Sequence, residues 1–220
     1  GSGILPPELK KELAVKAFAH TAAYDSAIAG ELSNTGSGGF PENLEMPLKK
    51  IRDLRYGENP HQVCALYSRK GKLPFTQLQG KGLSYNNILD AYGSYQAARE
   101  FEKPAAVIFK HVTPCGLGTG VDIAEAFERA WSADPLSAFG GIIALNRRLD
   151  GRIAGFLSRK FVEVICAPDY DERALEILAG KTNLRLLKWG SFPTDNLALR
   201  SVGDEVLVSS DDKLLLGDKW

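Results

Sequence analysis

The chain has 220 residues, of which 44% are hydrophobic and 25% charged. That is ordinary globular composition, with room for one well-buried α/β core or two small ones, and it excludes disordered, collagen-like and disulfide-scaffold chains. Lys plus Arg and Asp plus Glu stand at 27 each, so the formal net charge is zero and no global basic field draws in nucleic acid or an anionic membrane.

The first element is helical. From Pro6 to Leu32, prolines sit where a first turn tolerates them, and Leu9, Leu13, Val15, Phe18, Ala22 and Ile28 recur near a 3.6-residue period. Ser33 to Gly39 reads as a linker. Short strands are then predicted over 63–68 and 75–78, and a helix over 87–101. A regular series follows, with strands at 105–109, 142–145, 162–166 and 184–187. Helices at 122–130, 152–159 and 173–179 are interleaved with them, and one more strand is expected around 206–208. This alternation implies an α/β fold with a mainly parallel sheet and flanking helices, preceded by the N-terminal helix.

Three cysteines, Cys64, Cys115 and Cys166, include no CxxC pair. A sparse, odd count points to a reducing compartment and away from a cysteine-rich zinc site. Apolar runs are of strand length and the N-terminus lacks the pattern of a signal peptide. The expected localisation is therefore cytoplasmic, with no membrane partner and no metal.

Three patches carry candidate chemistry. The first, Lys110-His111-Val112-Thr113-Pro114-Cys115-Gly116-Leu117-Gly118-Thr119-Gly120, joins a cation, an imidazole and three glycines ahead of a helix that starts at Asp122. Ligands of parallel sheets collect at the carboxyl ends of strands, glycines admit close backbone approach, and a helix N-terminus favours anions. An adjacent Lys and His suit proton transfer; a plain tight turn is the alternative. The glycine spacing is GxGxG, a poor dinucleotide fingerprint, and neither a Walker ending nor the HxE of a zinc deaminase is present. Cys115 reads as a nucleophile near His111 or as a small turn-filling residue.

The second patch is Arg55-Tyr56-Gly57-Glu58-Asn59-Pro60-His61-Gln62. Its arginine can grip a phosphate, its tyrosine can stack on a base, and Asn-Pro forces a turn. It is either a site or an ordinary loop. The third, Asp134 to Gly141, places paired glycines at a strand start, which marks close approach by a ligand or a helix stop. His20 reads as a surface or packing residue.

Together these patches resemble the AICAR transformylase part of the AICAR transformylase/IMP cyclohydrolase family. Leu83-Ser84-Tyr85-Asn86-Asn87, Val162 to Pro168 and Leu13 to Asp25 add to the resemblance, which runs from about residue 10 to 180. It implies formyl transfer from 10-formyltetrahydrofolate to the 5-amino group of AICAR in purine biosynthesis. Lys110 and His111 match the family's catalytic pair, and Arg55, Tyr56, Asn87 and Gly140 match nucleotide-binding positions. Glu163 falls where some members carry Asp. The resemblance further implies a cytidine-deaminase-like subdomain and a homodimer. Residues 1–39 would be a cloning scar, the last helix of the cyclohydrolase part and a linker, and residues 40–220 the first transformylase subdomain. The second subdomain, with most of the folate site, would lie outside the chain, leaving it weakly active or inactive alone. A non-catalytic nucleotide-binding or dimerisation module of the same fold is the alternative.

Overall fold

The computed structural model describes residues 5–33, 39–190 and 197–210. The chain divides into two units, Gly1–Arg52 with Leu66–Lys72, and Asp53–Ala65 with Leu73–Trp220. In the first unit, helix α1 (Pro7–Leu32) starts with proline in its first turn and buries none of its residues. Leu13, Val15 and Phe18 are exposed, because the apolar positions spread round the helix instead of forming one stripe. Most of the expected linker, 34–38, lies outside the described residues. Strands β1 (Lys49–Leu54) and β2 (Cys64–Ser68) pair as a two-stranded sheet.

The second unit is built on six strands, β3 (Phe75–Gln79), β4 (Ala105–Lys110), β5 (Thr113–Thr119), β6 (Ile142–Leu145), β7 (Val164–Ala167) and β8 (Arg185–Trp189). Their order is β3-β8-β7-β6-β4-β5. The α/β class with flanking helices stands as read from the sequence. The parallel part is confined to β6–β7–β8, and the pairs β3–β8, β4–β5 and β4–β6 are antiparallel. The sheet is therefore mixed. Its helices are α2 (Tyr85–Arg99), α3 (Ile123–Ala133), the single turn α4 (Pro135–Ala138), α5 (Gly151–Leu157) and α6 (Glu172–Ala179).

Strand side chains alternate between two cores, as the period of 2 requires. Ala106, Ile108, Ile143, Leu145, Ile165 and Leu186 pack with α3, α5 and α6. Val107, Phe109, Ala144, Val164, Cys166, Leu187 and Trp189 pack with α2. The unit is thus a three-layer α/β/α arrangement. Asp122 and Asp150 cap the helices that follow them by accepting backbone N–H bonds. A separate hairpin joins β9 (Leu197–Val202) to β10 (Glu205–Ser210). Among the described residues no helix is long and apolar enough to cross a membrane.

The segment 110–120 differs most from its sequence reading. It is a strand hairpin, not a loop running from a strand into a helix, because Lys110 pairs with Thr113 and β5 returns along β4. The glycines face helix α3. A methyl group on Gly116 would lie 2.1 Å from the Ala130 carbonyl oxygen, and one on Gly118 2.4 Å from that of Ala126. They let a helix backbone approach a strand backbone, and the cradle expected for an anion is taken up by α3.

Candidate functional site

The loop after β1 supplies Arg55 and Tyr56. Its turn is closed by Gln62, whose Oε1 accepts from the Asn59 N–H at 2.8 Å and whose carbonyl accepts from Gly57 N–H at 3.0 Å. This is the turn that Asn-Pro demands. The Arg55 guanidinium lies 5.5 Å from the centre of the Tyr56 ring, a cation–π pair. Asn86 of α2 reaches the Glu58 carbonyl from the other side. His61 is exposed.

Arg55 and Tyr56 line a depression of about 530 Å³ together with Lys81, Phe161, Glu163, Lys181 and Arg185. Gly80 makes this wall possible. Its φ is +100°, and a methyl group there would lie 2.3 Å from the Leu184 carbonyl oxygen, so only glycine brings the Lys81 loop against β8. Lys181 ties two loops together by donating to the Ser158 carbonyl at 3.0 Å and the Lys160 carbonyl at 2.6 Å. Arg185 is 9% exposed. It donates through Nε and one terminal nitrogen to the Gly82 carbonyl, both at 3.3 Å, and its other terminal nitrogen is 3.6 Å from Glu163 Oε2.

Asn87 is placed by the capping box that starts α2. It donates its backbone N–H to Ser84 Oγ at 3.2 Å, and its Oδ1 accepts the Ser84 N–H at 3.3 Å. The remaining amide nitrogen donates to Glu163 Oε2 at 2.9 Å. Asn87 and Arg185 therefore hold the same carboxylate oxygen. Glu163 keeps 42% of its side chain exposed, free to meet a ligand while its orientation is set from behind.

Lys110 ends β4 and donates from Nζ to the Phe139 carbonyl at 2.9 Å. The next residue, Gly140, has φ +73° and donates its N–H to the Phe161 carbonyl at 2.9 Å. Phe139 and Phe161 pack ring to ring at 5.3 Å, and Phe161 lines the depression. The structure thus links Lys110, Gly140 and the Arg55–Glu163 wall through two phenylalanines. His111 is exposed at the hairpin turn.

These groups do not gather at the carboxyl ends of the parallel strands. Gly140, Glu163 and Arg185 mark the amino ends of β6, β7 and β8, and Lys110 joins them because β4 runs antiparallel to β6. A larger depression of about 650 Å³, lined by Arg152, Phe156, Arg159 and Arg173 among others, contains none of the residues singled out in the sequence. The chemistry points to the smaller one.

Cys115 packs partly buried against the core, where burial and then the nearby Asp134 push its thiol up. That is opposite to what an activated nucleophile needs, and Cys115 is a packing residue of β5, where the sequence reading had a turn. Asp134 caps α4, accepting the Ser137 N–H and hydroxyl at 3.0 and 2.6 Å, and the Ser137 bonds hold its carboxyl below the usual range. Sequence reasoning missed Lys81, Arg185 and the buried Asp90 of α2. For Arg185 and Asp90 the available signal was a charge set inside an apolar strand or helix pattern, as at Arg185 between Leu184 and Leu186, whereas Lys81 stands between two glycines.

A model of the AICARFT/IMPCHase bienzyme family matches residues 2–220. The bifunctional purine biosynthesis protein PurH of Elusimicrobium minutum is 53% identical over 219 residues, which is 99% of this chain and 42% of that protein. PurH of Anoxybacillus flavithermus is 51% identical over 185 residues, 82% of this chain and 36% of its own length. For Bacillus cytotoxicus PurH the figures are 45% identity over 228 residues, 99% of this chain and 44% of the relative. The chain spans about two fifths of the length of the curated relatives it matches. With the match extending over nearly every residue and these relatives 45% to 53% identical, the chain belongs to the AICARFT/IMPCHase bienzyme family.

Proposed function

We propose that this chain carries the nucleotide and proton-transfer half-site of an AICAR formyltransferase, in purine biosynthesis. The observation that supports it most is the depression shared by Arg55, Tyr56 and Glu163, joined through Phe161 and Phe139 to Lys110. Arg55 and Lys81 are its exposed cations and suit the phosphate of AICAR. Tyr56 offers a ring face, and Glu163, held by Asn87, an acceptor for ribose hydroxyls. Gly140 gives the close backbone approach beside them.

In the reaction the 5-amino nitrogen attacks the formyl carbon of 10-formyltetrahydrofolate. The bond from that carbon to the folate nitrogen breaks, and tetrahydrofolate leaves. His111 takes the proton from the attacking amine and passes it to the departing folate nitrogen, so that tetrahydrofolate leaves neutral at that atom, and Lys110 stabilises the oxyanion that develops. No residue of this chain is assigned to the folate. Residues 40–220 act as the first transformylase subdomain, completed by a second and by a homodimer partner.

Calorimetric titration of the 220-residue chain with AICAR, paired with turnover in the full-length enzyme containing this segment, tests the reading. Saturable binding is expected, weakened at least about tenfold by Arg55→Ala. Turnover should appear only in the full-length enzyme and fall by about 100-fold or more in His111→Ala with folding retained. A His111→Ala enzyme that turns over normally would sink the catalytic assignment and favour a non-catalytic binding module.

A further inference from the structure

His111 and Val112 are the only non-glycine positions at positive φ among the described residues, at 54° and 60°. They form the two-residue loop of the β4–β5 hairpin, and positive φ at both is what a type I′ turn requires. Asn and Gly are the usual occupants of such turns. A β-branched valine is an outlier, since its Cβ substituents crowd the backbone in the left-handed region. Conformations of this kind persist only where the surroundings over-determine them.

One surrounding group does so. Asp90 lies on α2, 6% exposed, and its Oδ1 accepts the Val112 N–H at 2.6 Å. A carboxylate acceptor makes this a charge-assisted bond, stronger than a neutral one. The helix that delivers Asp90 is itself fixed at its start by the Ser84–Asn87 capping box and by the Asn87–Glu163 bond. The Lys110 ammonium is held separately at the Phe139 carbonyl. Each half of the Lys-His pair thus has its own tether, and that of His111 runs through the next residue's amide.

We infer that Asp90 is the positioning residue of His111: its carboxylate holds the strained Val112 amide and so fixes the direction in which His111 is presented. This rests on the formyl-transfer reading above. Asp90 touches neither the imidazole nor the reacting atoms, so its contribution is to geometry.

The test is steady-state kinetics of Asp90→Ala, Asp90→Asn and the double variant Asp90→Ala/Val112→Gly in the full-length enzyme. Amide exchange at Val112, followed by NMR in the 220-residue chain, accompanies it. Asp90→Ala should lower kcat between about 10- and 100-fold, the scale of a misplaced catalytic group, while KM for AICAR stays within about threefold. Asp90→Asn keeps an acceptor oxygen and should recover most of the rate. Val112→Gly should restore much of it in the alanine background, because glycine adopts positive φ without strain. Exchange at Val112 should quicken at least about tenfold in Asp90→Ala. Unchanged kcat in Asp90→Ala would overturn the inference. So would a loss that neither asparagine nor the glycine double variant repairs, which would reduce Asp90 to packing α2. Faster Val112 exchange combined with normal turnover of His111→Ala would instead refute the formyl-transfer reading while upholding Asp90's hold on the turn.

Discussion

Gly118 illustrates how one missing methyl group sets the spacing of a layer. A Cβ at this position would meet the Ala126 carbonyl oxygen at 2.4 Å and the Ala130 nitrogen at 2.6 Å. Both are backbone atoms of α3, which cannot swing aside as a flexible side chain would. Gly118→Ala is therefore expected to destabilise the chain by at least about 2 kcal/mol through overpacking, read as a lower urea midpoint. A tolerated alanine would mean that α3 can move off β5. The glycine-rich stretch was legible as a place of close approach, but its partner was not: glycine spacing states that something comes near without stating whether it is a phosphate or a helix. His111 and Val112 present the same limit. Nothing in their residue types signals positive φ, which the hairpin imposes from outside.

At the scale of elements, α2 depends on its first turn. Ser84, 8% exposed, is both its N-cap and the partner that orients Asn87. Ser84→Ala should cost about 1 kcal/mol, seen as a lower melting temperature. It should also loosen the Asn87–Glu163 bond, so on the proposed function AICAR affinity measured by calorimetry should fall with it. A stability loss with unchanged affinity would separate the cap from the site. Elements with strong periodicity were read closely from the sequence, as at Ile142–Leu145 and Cys64–Ser68. Strand β5 was missed because three glycines and a proline within 113–120 carry loop signals, whereas cross-strand pairing with β4 makes it a strand. Strand β1 was missed because Lys49, Lys50, Arg52 and Asp53 mask its apolar positions. The helicity of α1 was plain from the sequence, but periodic apolar residues did not guarantee a buried face.

For the whole molecule, titratable groups buried on both faces of the sheet make stability sensitive to alkali. Burial pushes the Cys166 thiol up to about 12, only partly opposed by a hydrogen bond with Trp189. Burial also holds the Tyr170 hydroxyl well above its ordinary value, with its proton donated to the Ile165 and Leu187 carbonyls. The folded chain keeps the thiol proton, whereas the unfolded chain releases it once the pH passes the ordinary value of 9.0. Fewer protons are then bound by the unfolded state, so the stabilisation is full below that pH and is lost as the pH climbs towards 12. Denaturant melts between pH 9 and 11 should show falling stability, and Cys166→Ala should make the slope shallower by up to about 1.4 kcal/mol per pH unit. An unchanged slope would mean that Cys166 titrates alike in both states.

The sequence by itself determined the α/β class, the order of the strongly patterned helices and strands, and the patches that mark the family. Those follow from local chemistry: apolar period, caps, turn residues and motif order along the chain. Only the tertiary structure decided that the sheet is mixed and that α3 fills the glycine-rich strand. It also decided that Arg55, Glu163 and Arg185 share one wall at the amino ends of the parallel strands, and that Asp90 reaches the His111 turn. Strand direction and long-range partners depend on which segments pair across the sheet, and residue types along a single chain do not encode that choice locally.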